Sequence, residues 1–185
     1  KYLNKAIEEL GLKDKVKLAL DVAASSFFEN GFYLVNNQKL RTEEFLDIYK
    51  EIVSDFDILS IEDPFNEEAF EDFHNFKKEF NIGVIGDDLT VTNVEHLKQA
   101  LEADSITGMI IKPNQIGTLS ETLATMKLAR EYGIELIVSH RSCETNDDFI
   151  ADLAYAFGCY GLKAGSPCKS ERLVKYQRLL NITKS

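Results

Sequence analysis

The sequence predicts an α/β fold in which strands and helices alternate around a parallel sheet. Six short apolar runs, each ending on a charged or polar residue, recur along the 185-residue chain. Runs of four or five β-prone residues suit strands buried on both faces. Segments with helical spacing separate them, so strand and helix alternate at least five times, the pattern of βα units. No dipeptide of the Asn-Gly type joins adjacent strands in this reading.

Taken in order, residues 2–10 read as a helix already in mid-course, which suggests a piece of a longer chain. The first strand run is Val16–Asp21. A stretch around Asn30-Gly31 and Asn36-Asn37-Gln38 reads as a surface excursion, after which Thr42 is the expected N-cap of a helix striped by Phe45, Ile48, Tyr49 and Ile52. Ile58–Glu62 is the second run, and Asn66 introduces the Phe70, Phe73 and Phe76 helix. Gly83–Asp87 follows, with Asn93 ahead of Val94, Leu97 and Leu101. Met109–Lys112 precedes a stripe of Leu119, Leu123 and Met126 that stops at Gly133. Leu136–His140 precedes Phe149, Ile150, Leu153 and Phe157, ending at Gly158; Tyr160–Lys163 precedes Leu173, Tyr176 and Leu180. The Phe and Leu stripes are read as core contacts.

A closed (β/α)8 barrel of TIM type typically needs about 250 residues. An open doubly wound sheet fits the length, but it places its ligand at a single crevice, whereas here every strand ends in a functional group. The expected fold is therefore a (β/α)8 TIM-type barrel with only about six of its strands in this chain. One domain is expected over residues 1–185.

A net charge of −10 disfavours nucleic acid or an anionic membrane as partner. No apolar stretch approaches the roughly 20 residues of a membrane span, and no secretory signal opens the sequence, so a cytoplasmic protein is expected. Cys143, Cys159 and Cys168 lack metal-ligand spacing and read as reduced thiols rather than zinc ligands.

The strand terminators carry the chemistry. Asp21, Glu62 and Asp87 end three successive runs, and hard oxygens converging from adjacent strands suit Mg²⁺. Any one of them alone reads more readily as a cap for the next loop or helix; three in succession weaken that reading. Asp63, before Pro64, reads as a turn opener. Lys112 ends a run apolar enough to bury its amine, and a neutral amine near cations is a competent general base. His140-Arg141-Ser142 forms a compact anion-recognition set, since arginine offers a bidentate fork for phosphate. His74 and His96 fall in helical patterns and read as surface residues.

Ser60-Ile61-Glu62-Asp63-Pro64-Phe65, Gly86-Asp87-Asp88-Leu89-Thr90-Val91-Thr92-Asn93, Lys112-Pro113-Asn114-Gln115-Ile116-Gly117 and Ser139-His140-Arg141-Ser142 together resemble the enolase family. The likeness continues through 147–153 and 166–172, in the family's order, and the chain resembles the carboxyl-terminal barrel portion, truncated at its amino-terminal side. The resemblance implies Mg²⁺-dependent, reversible dehydration of 2-phosphoglycerate to phosphoenolpyruvate in glycolysis, and a homodimer for the full-length protein. It implies Asp21, Glu62 and Asp87 as metal ligands, Lys112 as the base, Arg141 and Ser142 as phosphate contacts, Lys163 as a carboxylate contact and His140 as a residue near the substrate. Proton removal would give a dianionic intermediate, stabilised by two Mg²⁺ ions and Lys163.

The family's general acid and the loops that close over the substrate lie upstream of the resembling segment. An isolated chain that holds Mg²⁺ weakly, associates with partners and catalyses nothing is thus one alternative. Another is a superfamily enzyme acting on a non-phosphorylated carboxylate. Cys143 stands where the family pattern leads one to expect glycine, a difference that matters only if that position needs positive φ.

Overall fold

The computed structural model describes residues 1–184. They divide into two compact units, residues 1–89 with 103–106, and residues 90–102 with the chain from 107 onward.

The first unit begins with α1 (Tyr2–Glu9) and β1 (Leu18–Asp21). It continues through β2 (Phe28–Glu29), β3 (Phe32–Val35), β4 (Gln38–Leu40), α2 (Thr42–Asp55), β5 (Ile58–Glu62), α3 (Phe70–Glu79) and β6 (Gly83–Gly86). Strands β1, β5 and β6 are parallel neighbours in that order, with Asp21 opposite Glu62 and Glu62 opposite Ile85. Gly83 faces Ser60 across the ladder, where an added Cβ would lie 2.9 Å from the serine Cβ, so glycine permits the close approach.

The expected surface excursion is instead an antiparallel sheet of β2, β3 and β4. Asn30 and Gly31 (φ 51° and 83°) and Asn36 and Asn37 (φ 50° and 64°) form the two turns, both with paired positive φ. Two-residue turns of this hand match the twist of hairpin strands, and Asn and Gly tolerate them best. The Asn-Gly signal was therefore a real hairpin.

This sheet carries Tyr33 inward, 1% exposed, stacked on Phe45 of α2 at 4.5 Å and 24°. Phe65 packs on Tyr33, Phe45, Tyr49, Phe73 and Phe76. Each buried ring contributes about 1.5–3 kcal/mol by leaving water. The cluster also holds the segment after β5: Tyr49 donates its hydroxyl to the Pro64 carbonyl (2.6 Å), and the Asn66 N–H donates to the Tyr33 hydroxyl (3.0 Å). Thr42 is not the cap of α2. It is the first helical residue, and the Glu44 carboxylate accepts from the backbone N–H of Arg41, the capping position (2.8 Å).

The second unit runs α4 (Val94–Glu102), β7 (Gly108–Ile111), α5 (Pro113–Ile116), α6 (Leu119–Glu131), β8 (Glu135–Ser139), α7 (Phe149–Ala156), β9 (Gly161–Lys163) and α8 (Ser170–Ile182). Strands β7, β8 and β9 are parallel in that order. Asn93, ahead of the predicted stripe, caps α4, its Oδ1 accepting from Glu95 N–H (2.7 Å).

Three apolar stripes are core only in part: on α7 Phe149 is 41% exposed beside buried Leu153, and on α6 Met126 alone of its stripe is buried. On α6 the buried residues are Thr122, Thr125, Met126 and Ala129, while Leu119 is 46% exposed. The threonine hydroxyls satisfy themselves by donating to the carbonyls four residues back, Thr118 and Glu121, which lets a polar face go inward. On α8 Leu173 and Leu180 are exposed, and the one buried residue is Lys175.

Candidate active site

In the first unit the three predicted carboxylates end neighbouring parallel strands: Asp21 closes β1, Glu62 closes β5, and Asp87 follows β6 directly. Asp21 and Glu62 are paired in register, and Asp87 lies two residues beyond Ile85, the register partner of Glu62. Side-chain alternation therefore directs all three to one face of the sheet. Glu62 and Asp87 are buried at 6% and 8% exposure, and Asp21 is exposed.

Asp63 does more than open a turn. Its two carboxylate oxygens accept from the backbone N–H groups of Asp87 (2.9 Å) and Asp88 (2.8 Å). Its own N–H donates to Ile85 and its carbonyl accepts from Ala24. Asp63 (φ 42°) thus ties the ends of β1, β5 and β6 together. Oxygens of Asp63, Asp87 and Asp88 lie within 4.8 Å of one another. Because both Asp63 oxygens already serve backbone donors, we read this cluster as a clamp that places Asp87 rather than as the ligand set. Burial pushes the Asp63 carboxyl up to about 7, against the two backbone bonds and aided by the charges of Asp87 and Asp88.

In the second unit Lys112 follows β7, His140 follows β8 and Lys163 closes β9, all at carboxyl ends. Ser139 and Lys163 are in register, and both the backbone N–H and Nδ1 of His140 lie 2.8 Å from the Lys163 carbonyl. A carbonyl only accepts, so Nδ1 carries the proton and neutral His140 presents Nε2 as an acceptor. Burial lowers the His140 pKa, outweighing this bond, and the Arg172 and Lys163 cations lower it further.

Arg141 donates from Nη1 to Asn114 Oδ1 (3.1 Å), and its N–H donates to Glu144 Oε1 (2.8 Å). A cavity of about 310 Å³ opens beside Arg141 and Asn114. Helix α8 secures the loop from behind: Arg172 donates to the carbonyls of Arg141 (2.9 Å) and Ser142 (3.1 Å). Lys175, 1% exposed, reaches Glu144 (2.7 Å) and the carbonyls of Thr145 (2.6 Å) and Glu171 (2.7 Å). Sequence reasoning missed Arg172, Lys175, Glu144 and the Asp63 clamp. For the first three, the signal was a pair of cations spaced i, i+3 on a helix whose leucines proved exposed. Cys143 is not among the described residues with positive φ, so the loop does not require glycine there.

The family description that matches residues 1–185 is "Enolase, C-terminal TIM barrel domain". Among curated relatives, the Enolase of Methanocaldococcus jannaschii is 46% identical over 180 residues, covering 97% of this chain and 43% of that protein. The Enolase of Sulfurisphaera tokodaii is 45% identical over 178 residues, 96% of this chain and 43% of that protein. The Enolase of Methanosarcina barkeri is 45% identical over 182 residues, 97% and 42% respectively. This chain therefore spans less than half the length of the relatives it matches.

Proposed function

The chain belongs to the enolase family, its matched segment being the C-terminal TIM barrel domain, and we propose that it carries the base and metal-ligand half of a phosphopyruvate hydratase. The observation that carries this reading is the placement of Asp21, Glu62 and Asp87 on one face at the ends of three neighbouring strands. Three hard oxygen donors, two of them buried, fit a divalent cation of the Mg²⁺ type. When bound, such a cation supplies electrostatic stabilisation for negative charge gathering on a substrate carboxylate.

The chain's own residues then have distinct tasks. Arg141 grips the phosphate of 2-phosphoglycerate with its guanidinium fork, and Ser142 adds a hydroxyl. Lys163 sets a positive charge against the substrate carboxylate. The amine of Lys112 takes the proton from the carbon beside that carboxylate, and the electron pair moves onto the carboxylate oxygens. Collapse of that dianion forms the carbon–carbon double bond and expels the hydroxyl of the next carbon, which leaves as water after taking a proton. We assign that proton to an acid in the length of the family this chain does not cover. The isolated chain is accordingly expected to bind a divalent cation without turnover.

The test is 2-phosphoglycerate dehydration by the natural gene product. Turnover that needs a divalent cation and is abolished by Lys112→Ala supports the proposal. Absence of turnover in the wild type sinks it, and indifference to inorganic phosphate as a competitor would favour a non-phosphorylated carboxylate as substrate.

A further inference from the structure

We propose that Thr92 is a positioning residue that fixes the backbone of Lys112 at the end of β7. The inference rests on the reading of Lys112 as the base. Val91 and Thr92 have φ of 43° and 56°, two consecutive β-branched residues in the left-handed region. Side chains of that shape avoid it, so the surrounding structure must impose the conformation.

The reason lies in what Thr92 touches. It is fully buried, and its Oγ1 accepts the backbone N–H of Lys112 (2.9 Å) while donating to Gln115 Oε1 (3.3 Å). The Gln115 N–H in turn donates to the Lys112 carbonyl (2.9 Å). Thr92, Lys112 and Gln115 therefore close a triangle that holds the lysine backbone on both sides. Thr125 of α6 braces the Thr92 corner, its one hydroxyl proton shared between the Thr92 carbonyl and the Glu121 carbonyl of its own helix (3.0 Å each). The turn is closed by Asn93 N–H to Thr90 O at 2.8 Å.

Lys112 is extended (φ −127°, ψ 94°), and Pro113 opens a helical turn immediately after it. The lysine thus stands at a joint between strand and helix, where a shift of the backbone would swing its long side chain. A misplacement of about 1 Å can cost about 100-fold in rate. The left-handed turn at Val91 and Thr92 aims the hydroxyl that prevents it.

The experiment uses the natural gene product and three variants. Thr92→Val keeps shape and branching and removes the hydroxyl, Thr92→Ser restores the hydroxyl, and Thr92→Gly removes both hydroxyl and backbone strain. Two readouts are followed: kcat and KM for 2-phosphoglycerate, and hydrogen exchange at the Lys112 amide. The expected result is a fall in kcat of about 10- to 100-fold for Val and Gly, with KM and divalent-cation affinity held. Faster Lys112 amide exchange should accompany it, and both should return towards wild type with Ser. A valine variant too unstable to purify leaves the glycine variant to decide. Wild-type kcat with unchanged amide exchange in the folded hydroxyl-free variant overturns the proposal. If the wild type has no activity on 2-phosphoglycerate, the functional reading fails by itself. Amide exchange then decides the positioning claim alone: acceleration without the hydroxyl upholds it, and no change overturns it.

Discussion

Replacing Lys175 by methionine tests how the anion loop is held. The ammonium is 1% exposed and has three oxygen partners within 2.7 Å: the Glu144 carboxylate and the carbonyls of Thr145 and Glu171. Methionine keeps most of the aliphatic stem and deletes the charge. Breaking a buried pair by removing one partner costs about 3–5 kcal/mol. Glu144 retains 15% side-chain exposure, so water takes up part of its charge, and the expected loss lies near about 3 kcal/mol. Glu144→Gln preserves an acceptor for the Arg141 N–H while removing the opposite charge. Urea unfolding of wild type, both single variants and the double variant closes a cycle. A coupling of about 2 kcal/mol is expected, because the second loss is small once the first charge has gone. A Lys175→Met loss under about 1 kcal/mol, or a strictly additive cycle, would refute the clamp.

His140 has a lowered pKa, so the native protein keeps it neutral at pH values where the unfolded chain has begun to take up a proton. Its contribution to stability is complete above about pH 6.5 and is lost as pH falls through the lowered native value. His140→Gln should flatten that acid limb, and a His140 NMR titration midpoint at or above the ordinary histidine value would contradict the assignment. In the β2–β3 turn, Asn30→Gly should be neutral or mildly stabilising, while Asn30→Ala should cost about 1 kcal/mol, read from the urea midpoint, because alanine resists the left-handed region. Tyr33→Ala should cost about 3–5 kcal/mol by emptying a ring site against Phe45 and Phe65. A loss below about 1 kcal/mol would show that the aromatic cluster does not hold the segment after Glu62.

Most of the strand framework was legible because short β-branched runs bounded by turns have few other uses. Ile58–Glu62 matches its predicted run residue for residue, β1, β6 and β9 differ from theirs by one or two residues at one end, and β7 and β8 are each shifted by one residue. The terminators were legible for the same reason, since a charge after such a run falls at a strand end. The small antiparallel sheet was missed although Asn30-Gly31 announces it, because β2 has only two residues and β4 three, too short for alternation to register. The α6 and α8 faces were misread because leucine spacing alone does not reveal that threonines can bury by bonding their own helix. Nor does it reveal that a lysine can bury against partners 30 residues away. Asp63 was underestimated because its role depends on two N–H groups brought beside it by β6, a contact no local pattern encodes.

Lys112 is proposed as the group that removes the proton beside the carboxylate, and every other assigned role serves that step. The direct measurement is solvent deuterium exchange at that carbon of 2-phosphoglycerate in the natural gene product with Mg²⁺, which reads proton removal without requiring the hydroxyl to leave. Exchange is expected in the wild type and is expected to be lost in Lys112→Ala, with divalent-cation affinity retained. Exchange persisting at the wild-type rate in Lys112→Ala would contradict that assignment.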